Sequence, residues 1–343
     1  MNKKNLEAIR HDIYERENFT YLNVSILNPI DSPVQILASF KRTLNLPLLY
    51  DPSAFTVALI SLDMPSNNIP LFKFVNGAYH ITLNYLGVDY SDALTFISYS
   101  VSDVKDQFVF YIQQFLDSIN ASFINVYNLL IAAHPGIVNA APYIVYQFGK
   151  FSLICDGLNY NSDLVNPVKI FFNQTLFDFF IPMQSNTFGL NLPSYKDVQL
   201  LIKNNGSGSS TGSLSGTVYT ITTEYDPIAL WSFVKSVILL SYTGIKKHTM
   251  ITNVDVSGQS NLSIAQPIIA NVEVNINENN RSSYINYSPK FPLYNDIISK
   301  GPLIDIEFRI AYLTKDLNVY PLNLLPSQSA SMILCFKHKS ILS

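Results

Sequence analysis

The sequence predicts an all-β fold, with antiparallel strands in two facing layers interrupted by one long amphipathic helix. Three observations carry that expectation. Period-two alternation recurs from about residue 20 to the C-terminus, two runs are apolar on both faces, and a single stretch has helical spacing.

The alternation is clearest in four places. Leu22, Val24 and Ile26 alternate with Asn23 and Ser25. Tyr79, Ile81, Leu83 and Tyr85 alternate with His80, Thr82 and Asn84. Val272, Val274 and Ile276 alternate with Glu273, Asn275 and Asn277. Ile304, Ile306, Phe308, Ile310 and Tyr312 alternate with Asp305, Glu307 and Arg309. Side chains on a strand point to opposite faces in turn, so each pattern means one buried face and one wet face, as in antiparallel sheets. The runs Phe55–Leu62 and Phe233–Leu240 are apolar on both faces and read as central strands, expected to be neighbours in one sheet. Near the C-terminus residues 303–313 run out, Thr314-Lys315-Asp316 turns, and Asn318–Leu322 runs back, before a last strand at Met332–Lys337.

Phe108, Ile112, Phe115, Ile119, Phe123, Val126 or Tyr127, and Leu130 recur at three- and four-residue intervals. They predict an amphipathic helix over roughly 105–132, ended by Pro135-Gly136. A shorter turn over Thr175–Ile181 is capped by Asn173 and stopped by Pro182. Residues 204–216, rich in Gly and Ser, read as a flexible surface loop. No βα alternation and no internal repeat occurs. The pattern therefore points to a jelly-roll sandwich with an inserted helix, the alternative being a compact double jelly roll. The expected division is an N-terminal arm at 1–18, a first half at 19–104, a helix-containing insertion at 105–225, and a second half at 226–343.

Composition narrows the function. Hydrophobic residues make up 48% of the 343, but charged residues only 14%, against a usual ~25%. Asn, Ser, Thr and Tyr must cover much of the surface, and such a surface suits packing against neighbours because fewer ions are desolvated on contact. A net charge of −3 argues against a basic nucleic-acid binder. No leader-type apolar segment opens the chain, and no run reaches the ~18 residues of a membrane span. Cys155 and Cys335 sit in apolar runs and are expected to be buried thiols.

No constellation predicts catalysis. His11, His80, His134, His248 and His338 share no metal-ligand spacing. Asp51, Asp63, Asp89, Asp92, Asp103, Asp106, Asp156 and Asp163 are scattered as in ordinary loops, and Gly206-Ser207-Gly208 lacks a following Gly-Lys. Tyr160 and Tyr195 are the loop aromatics that a glycan platform would use, although core or interface packing is preferred for both. Catalytic residues, cofactor-binding residues and metal ligands are therefore expected to be none.

The C-terminal third carries a resemblance. Ala229–Leu239 joins a Trp to an apolar strand, then come Tyr284-Ile285-Asn286-Tyr287-Ser288-Pro289, Pro302–Phe308 and Ser329–Lys337. With Tyr50-Asp51-Pro52-Ser53 and Asn68–Phe72, this order resembles jelly-roll capsid proteins of small double-stranded DNA viruses of the polinton, adintovirus and virophage kind. The resemblance implies a penton-type or minor capsid subunit without catalytic residues, located in the virion and assembled in host cytoplasm or nucleus. It implies partners that are copies of the chain, as a pentamer with a trimer as the alternative, and other capsid proteins. Residues 1–18 are expected to touch packaged nucleic acid weakly. Three other readings remain open: a major capsid protein with a double jelly roll, a glycan- or receptor-binding attachment module, and a hydrolase with two carboxylates in a deep cleft.

Overall fold

The computed structural model describes residues 19–99, 107–137, 140–187, 195–203, 218–243, 249–254, 260–274 and 284–341. The expected arm at 1–18 and loop at 204–216 lie outside them. The chain forms two compact units, one from residues 19–69, 233–274 and 284–341 and the other from 70–232.

Eight strands frame the first unit, β1 Phe19–Leu27, β2 Ser39–Thr43, β3 Phe55–Pro65, β4 Val234–Ser241, β5 Ile268–Glu273, β6 Tyr284–Tyr287, β7 Asp305–Thr314 and β8 Ser329–His338, and a hairpin of Thr249–Val254 with Ser260–Gln266 and shorter strands are added to them. One sheet runs β1-β8-β3-β6 and the other β2-β7-β4-β5, with Val319–Pro321 sharing the flank of β7. First pairs with last, second with seventh, third with sixth and fourth with fifth, always antiparallel. This is one long ribbon rolled up, and the β8–β3 and β7–β4 pairings hold it closed. The result is the expected jelly roll.

The two doubly apolar runs are β3 and β4. Each is central, but in opposite sheets rather than side by side in one. An apolar run reports cover on both faces and carries no information about which sheet supplies it. Period two then sorts the rest. Val24, Ile26, Leu62, Met64, Met332, Leu334 and Phe336 are buried from one sheet, and Val237, Leu239, Ile306, Phe308 and Ile310 from the other. Phe308 and Phe336 are both fully buried, each worth roughly 2–3 kcal/mol of transfer free energy. The opposite face of β4 and β7 holds a second cluster of Ile238, Leu240, Ile268, Ala311 and Leu313, against which Leu317 and Val319 pack. Strand β7 runs one residue into the expected turn: Thr314 N donates to Asn318 O at 2.9 Å and its Oγ1 accepts from Asn318 N at 3.0 Å.

The second unit is built around α1, Ile112–Ala133. Phe115, Ile119, Phe123, Val126 and Leu130 form its fully buried stripe. The helix begins later than the predicted 105, and Phe108 belongs to a short strand, Phe108–Val109, paired with Phe72–Lys73. No side-chain cap at Tyr111 marks the start. Instead buried Gln114 reaches back, accepting from Phe110 N at 3.1 Å and donating to Ile97 O at 2.9 Å, which places the start where no cap signal stands in the sequence.

Around α1 lie a five-stranded sheet, in the order 185–187, 198–200, 169–172, 80–85, 88–93, and a three-stranded one, in the order 218–222, 150–156, 143–147. Neither repeats the nested order of the first unit, as a double jelly roll would. The alternating strand at 80–85, read from sequence within the first half of the jelly roll, pairs here. An aromatic cluster fills this unit's core. Phe115 lies 4.9 Å from both Phe72 and Phe179 and 5.6 Å from Trp231, whose Nε1 donates to Phe179 O at 2.9 Å.

Asn173 caps the helix Gln174–Phe177, shorter than the predicted 175–181. Its Oδ1 accepts from Leu176 N at 3.2 Å and His80 N at 3.0 Å, and its Nδ2 donates to Ala78 O at 2.7 Å. One buried amide thus ties a helix start to a strand start. Asn173→Ala leaves all three groups unpaired and is expected to destabilise the protein by about 2–3 kcal/mol, read as a lowered urea midpoint.

Candidate assembly surfaces

Several of the described residues with a chemical repertoire make structural contacts. His80 Nε2 lies 3.0 Å from Gly77 O, and its ring stacks on Tyr195 at 3.7 Å. His134 ends α1, its N–H donating to Leu130 O, and His338 meets Phe55 edge-on. His11 and His248 lie outside the described residues. Asp51 accepts from Ser53 N at 3.2 Å, Asp156 from Leu158 N at 2.9 Å, and Asp92 from Asn125 Nδ2 at 2.9 Å. Asp89 pairs with Lys196 at 2.8 Å. Asp163 is exposed, and Asp103 and Asp106 lie outside the described residues. Among the described residues no three His, Cys, Asp or Glu side chains gather as a metal site would need, and no helix is long and apolar enough to cross a membrane.

Both cysteines are free and buried. Burial pushes the Cys155 thiol well up, with Asp156 adding to the shift, so its thiolate is suppressed. Tyr160 is no loop platform. It is buried at the end of the short helix Gly157–Tyr160, its hydroxyl has no hydrogen-bond partner, and desolvation drives its pKa upward. Tyr195 is held in a left-handed backbone conformation with φ 49°.

What the first unit does present is contact surface. On the outer face of the β1-β8-β3-β6 sheet, the register lines up Ser25, Ser331, Asp63 and Asn286 in one row and Asn23, Ile333 and Ser61 in the next. These two rows carry one carboxylate and are otherwise uncharged, so they can be covered by a neighbour at little desolvation cost. Strand β1 lies at the edge, and among the described residues no strand pairs with its outer side. Nine residues of open edge are a template for further pairing.

Two loops add apolar anchors. Residues 44–54 and 288–304 are tied together by Leu48 N donating to Leu303 O, Leu303 N to Leu49 O and Leu44 N to Ile304 O, all within 2.9 Å. On them stand Leu46, Tyr50, Leu293 and Phe291, the last 91% exposed. Pro292 follows Phe291 directly and restricts its backbone, and Pro289 fixes its own φ two residues earlier. Asn295 Nδ2 fixes the base of the loop by donating to Ile269 O at 2.9 Å. Rigid, exposed aromatic and aliphatic side chains of this kind mark interaction surfaces. The sequence reading missed them, although apolar residues inside the proline-bounded stretch Pro289–Leu293 were the available signal.

Tyr79 offers a handle on folding. It is buried beside Phe74, and burial pushes its pKa up to about 12, partly offset by a backbone hydrogen bond at Val75. The unfolded chain releases that proton near pH ~10. Stability contributed by neutral Tyr79 is thus complete below ~10 and lost as pH rises through about 12. Urea midpoints are expected to fall across this window, and Tyr79→Phe to remove part of the fall, on the order of 2 kcal/mol.

Comparison with known proteins agrees with the geometry. A family model described as "Sputnik minor capsid protein V18/19" matches residues 20–338. A chain from the cryo-EM structure of the Sputnik virophage superposes with a TM-score of 0.76 at 20% identity, covering 95% of this chain and 99% of that one. The crystallised mavirus penton protein superposes at 0.62 with 14% identity, covering 93% and 99%. A search of the curated proteins finds no match.

Proposed function

The chain belongs to the Sputnik minor capsid protein V18/19 family, and we propose that within the virion it is the penton-type subunit, five copies closing a ring at each fivefold vertex. The match of a minor-capsid family across residues 20–338 carries this reading. A single eight-stranded jelly roll and the likeness of fold to a chain described as a penton protein support it. In this role the protein catalyses nothing. The sandwich is a rigid brick whose open β1 edge, weakly charged sheet face and apolar loop anchors meet neighbouring copies and other capsid proteins. A ring of identical bricks uses a heterologous contact, in which two different patches of the same chain meet and the rotation closes. Residues 1–18, with Lys3 and Lys4, are proposed to run under the shell and touch packaged nucleic acid.

Purified protein imaged at high concentration is expected to show fivefold rings. Replacing both Phe291 and Leu293 by Ser is expected to weaken association by at least about tenfold. Its thermal unfolding is expected to stay within about 0.5 kcal/mol of the parent, because both side chains are exposed. Threefold rings, or a persistent monomer absent from virions, would overturn the penton assignment.

A further inference from the structure

A groove of about 770 Å³ opens in the second unit. The segment Ile181–Gln184 lines it together with Leu201 and Lys203 and with Thr220–Thr222, Glu224 and Tyr225. Two backbone hydrogen bonds tie that segment to the other two. Leu201 N donates to Gln184 O at 3.1 Å, and Glu224 N donates to Pro182 O at 3.1 Å. The three segments that line the groove are therefore held together by main chain. Its volume lies within the usual range of ligand sites, roughly 300–1,000 Å³.

The lining selects a chemical class. Among the described residues it holds one cation, Lys203, and one anion, Glu224, so these give no excess charge with which to hold a phosphate chain or a sulfated polymer. A purely apolar ligand would strip water from Gln184, Lys203, Thr220 and Glu224 and return no hydrogen bonds. What fits is a molecule with apolar C–H faces and a rim of hydroxyls that donate and accept. Two half-exposed side chains, Tyr225 at 53% and Ile181 at 49%, offer flat or apolar surface for such faces. Donors at Lys203 and Gln184, and acceptors at Glu224 and Gln184, match the hydroxyls.

We infer that this groove binds a neutral oligosaccharide, with Tyr225 as the stacking platform and Glu224, Gln184 and Lys203 as its hydroxyl partners. The site replaces the sequence-level candidates Tyr160 and Tyr195, and it makes the second unit a glycan-contacting module in addition to any shell contact. The inference stands on the groove alone and survives if the penton assignment fails.

The test uses the full-length chain with maltohexaose, cellohexaose, laminarihexaose and chitohexaose as probes. Saturation-transfer NMR and calorimetry are expected to find binding of at least one at low millimolar concentration. Tyr225→Ala is expected to weaken it by about tenfold while Tyr225→Phe stays within about twofold. Val165→Ala, exposed and outside the groove, serves as the unchanged control, and circular dichroism confirms folding of each variant. The inference is overturned if none of the probes shows transfer at about 10 mM. It is equally overturned if binding persists undiminished in Tyr225→Ala, or if only sialylated or sulfated glycans bind.

Discussion

Everything in the jelly roll depends on where Ser329–His338 lies. This strand, nearly the last of the chain, sits between Phe19–Leu27 and Phe55–Pro65 and pairs with both along most of its length. A strand's two faces differ by a single residue of register. Sliding β8 by one would turn Met332, Leu334 and Phe336 outward and bring Ser331, Ile333 and Lys337 into the core. The shift between Ile333 and Leu334 in the β8–β3 pairing shows how the phase is kept. One irregularity lets β8 match the different lengths of β1 and β3 while all three keep their apolar sets inside. Because the closing strand joins chain ends more than 300 residues apart in sequence, the sandwich is dominated by distant contacts, and slow folding is the physical consequence.

The second unit is carried in the connection between β3 and β4, the two strands central to their sheets. Such an insertion costs little closure entropy once the sheets exist, since that cost grows only as the logarithm of the loop length. It also has its own core. The aromatic cluster of Phe72, Phe115, Phe151, Phe179 and Trp231 lies wholly within residues 70–232. A module with a private core can vary without disturbing the register of β8, and a groove for an outside ligand can therefore be placed in it at no cost to the shell-building sandwich.

The sequence made the strands legible and left their partners open. Alternation at Ile304–Tyr312 marked β7 and its buried face, because the period-two signal is local. The sheet assignment of β3 and β4 was not legible, since two central strands look alike whichever sheet they occupy. The 80–85 strand shows the same limit, as its pattern does not say which unit supplies its neighbour. The start of α1 was misplaced because Gln114, not a Ser, Thr, Asp or Asn, closes its first turn. Of the contact surface, the low charge was plain in composition. The prolines around Phe291 mark a stiff loop in the sequence, but its exposure is a property of the fold, since an apolar residue beside prolines reads the same buried or bare.

Low charge and rigid anchors together decide what kind of contact the shell surface makes. Exposed ion pairs contribute little, typically under ~1 kcal/mol, and vary with salt. The pair of the exposed Lys41 with Glu307 at 3.5 Å is of that sort. A surface of Ser, Asn and Thr with a few fixed apolar knobs instead gives contacts that are individually weak, insensitive to ionic strength and dependent on fit. Closed symmetry repeats each contact, so modest pairwise affinity suffices and misplaced subunits can still leave. A rigid loop held by Asn295 and two prolines favours that outcome, because little conformational entropy remains to be lost when the anchor seats. The weakly charged composition and the clamped loop are thus two parts of one solution for the proposed ring: attraction weak enough to correct errors, and geometry strict enough to set the fit.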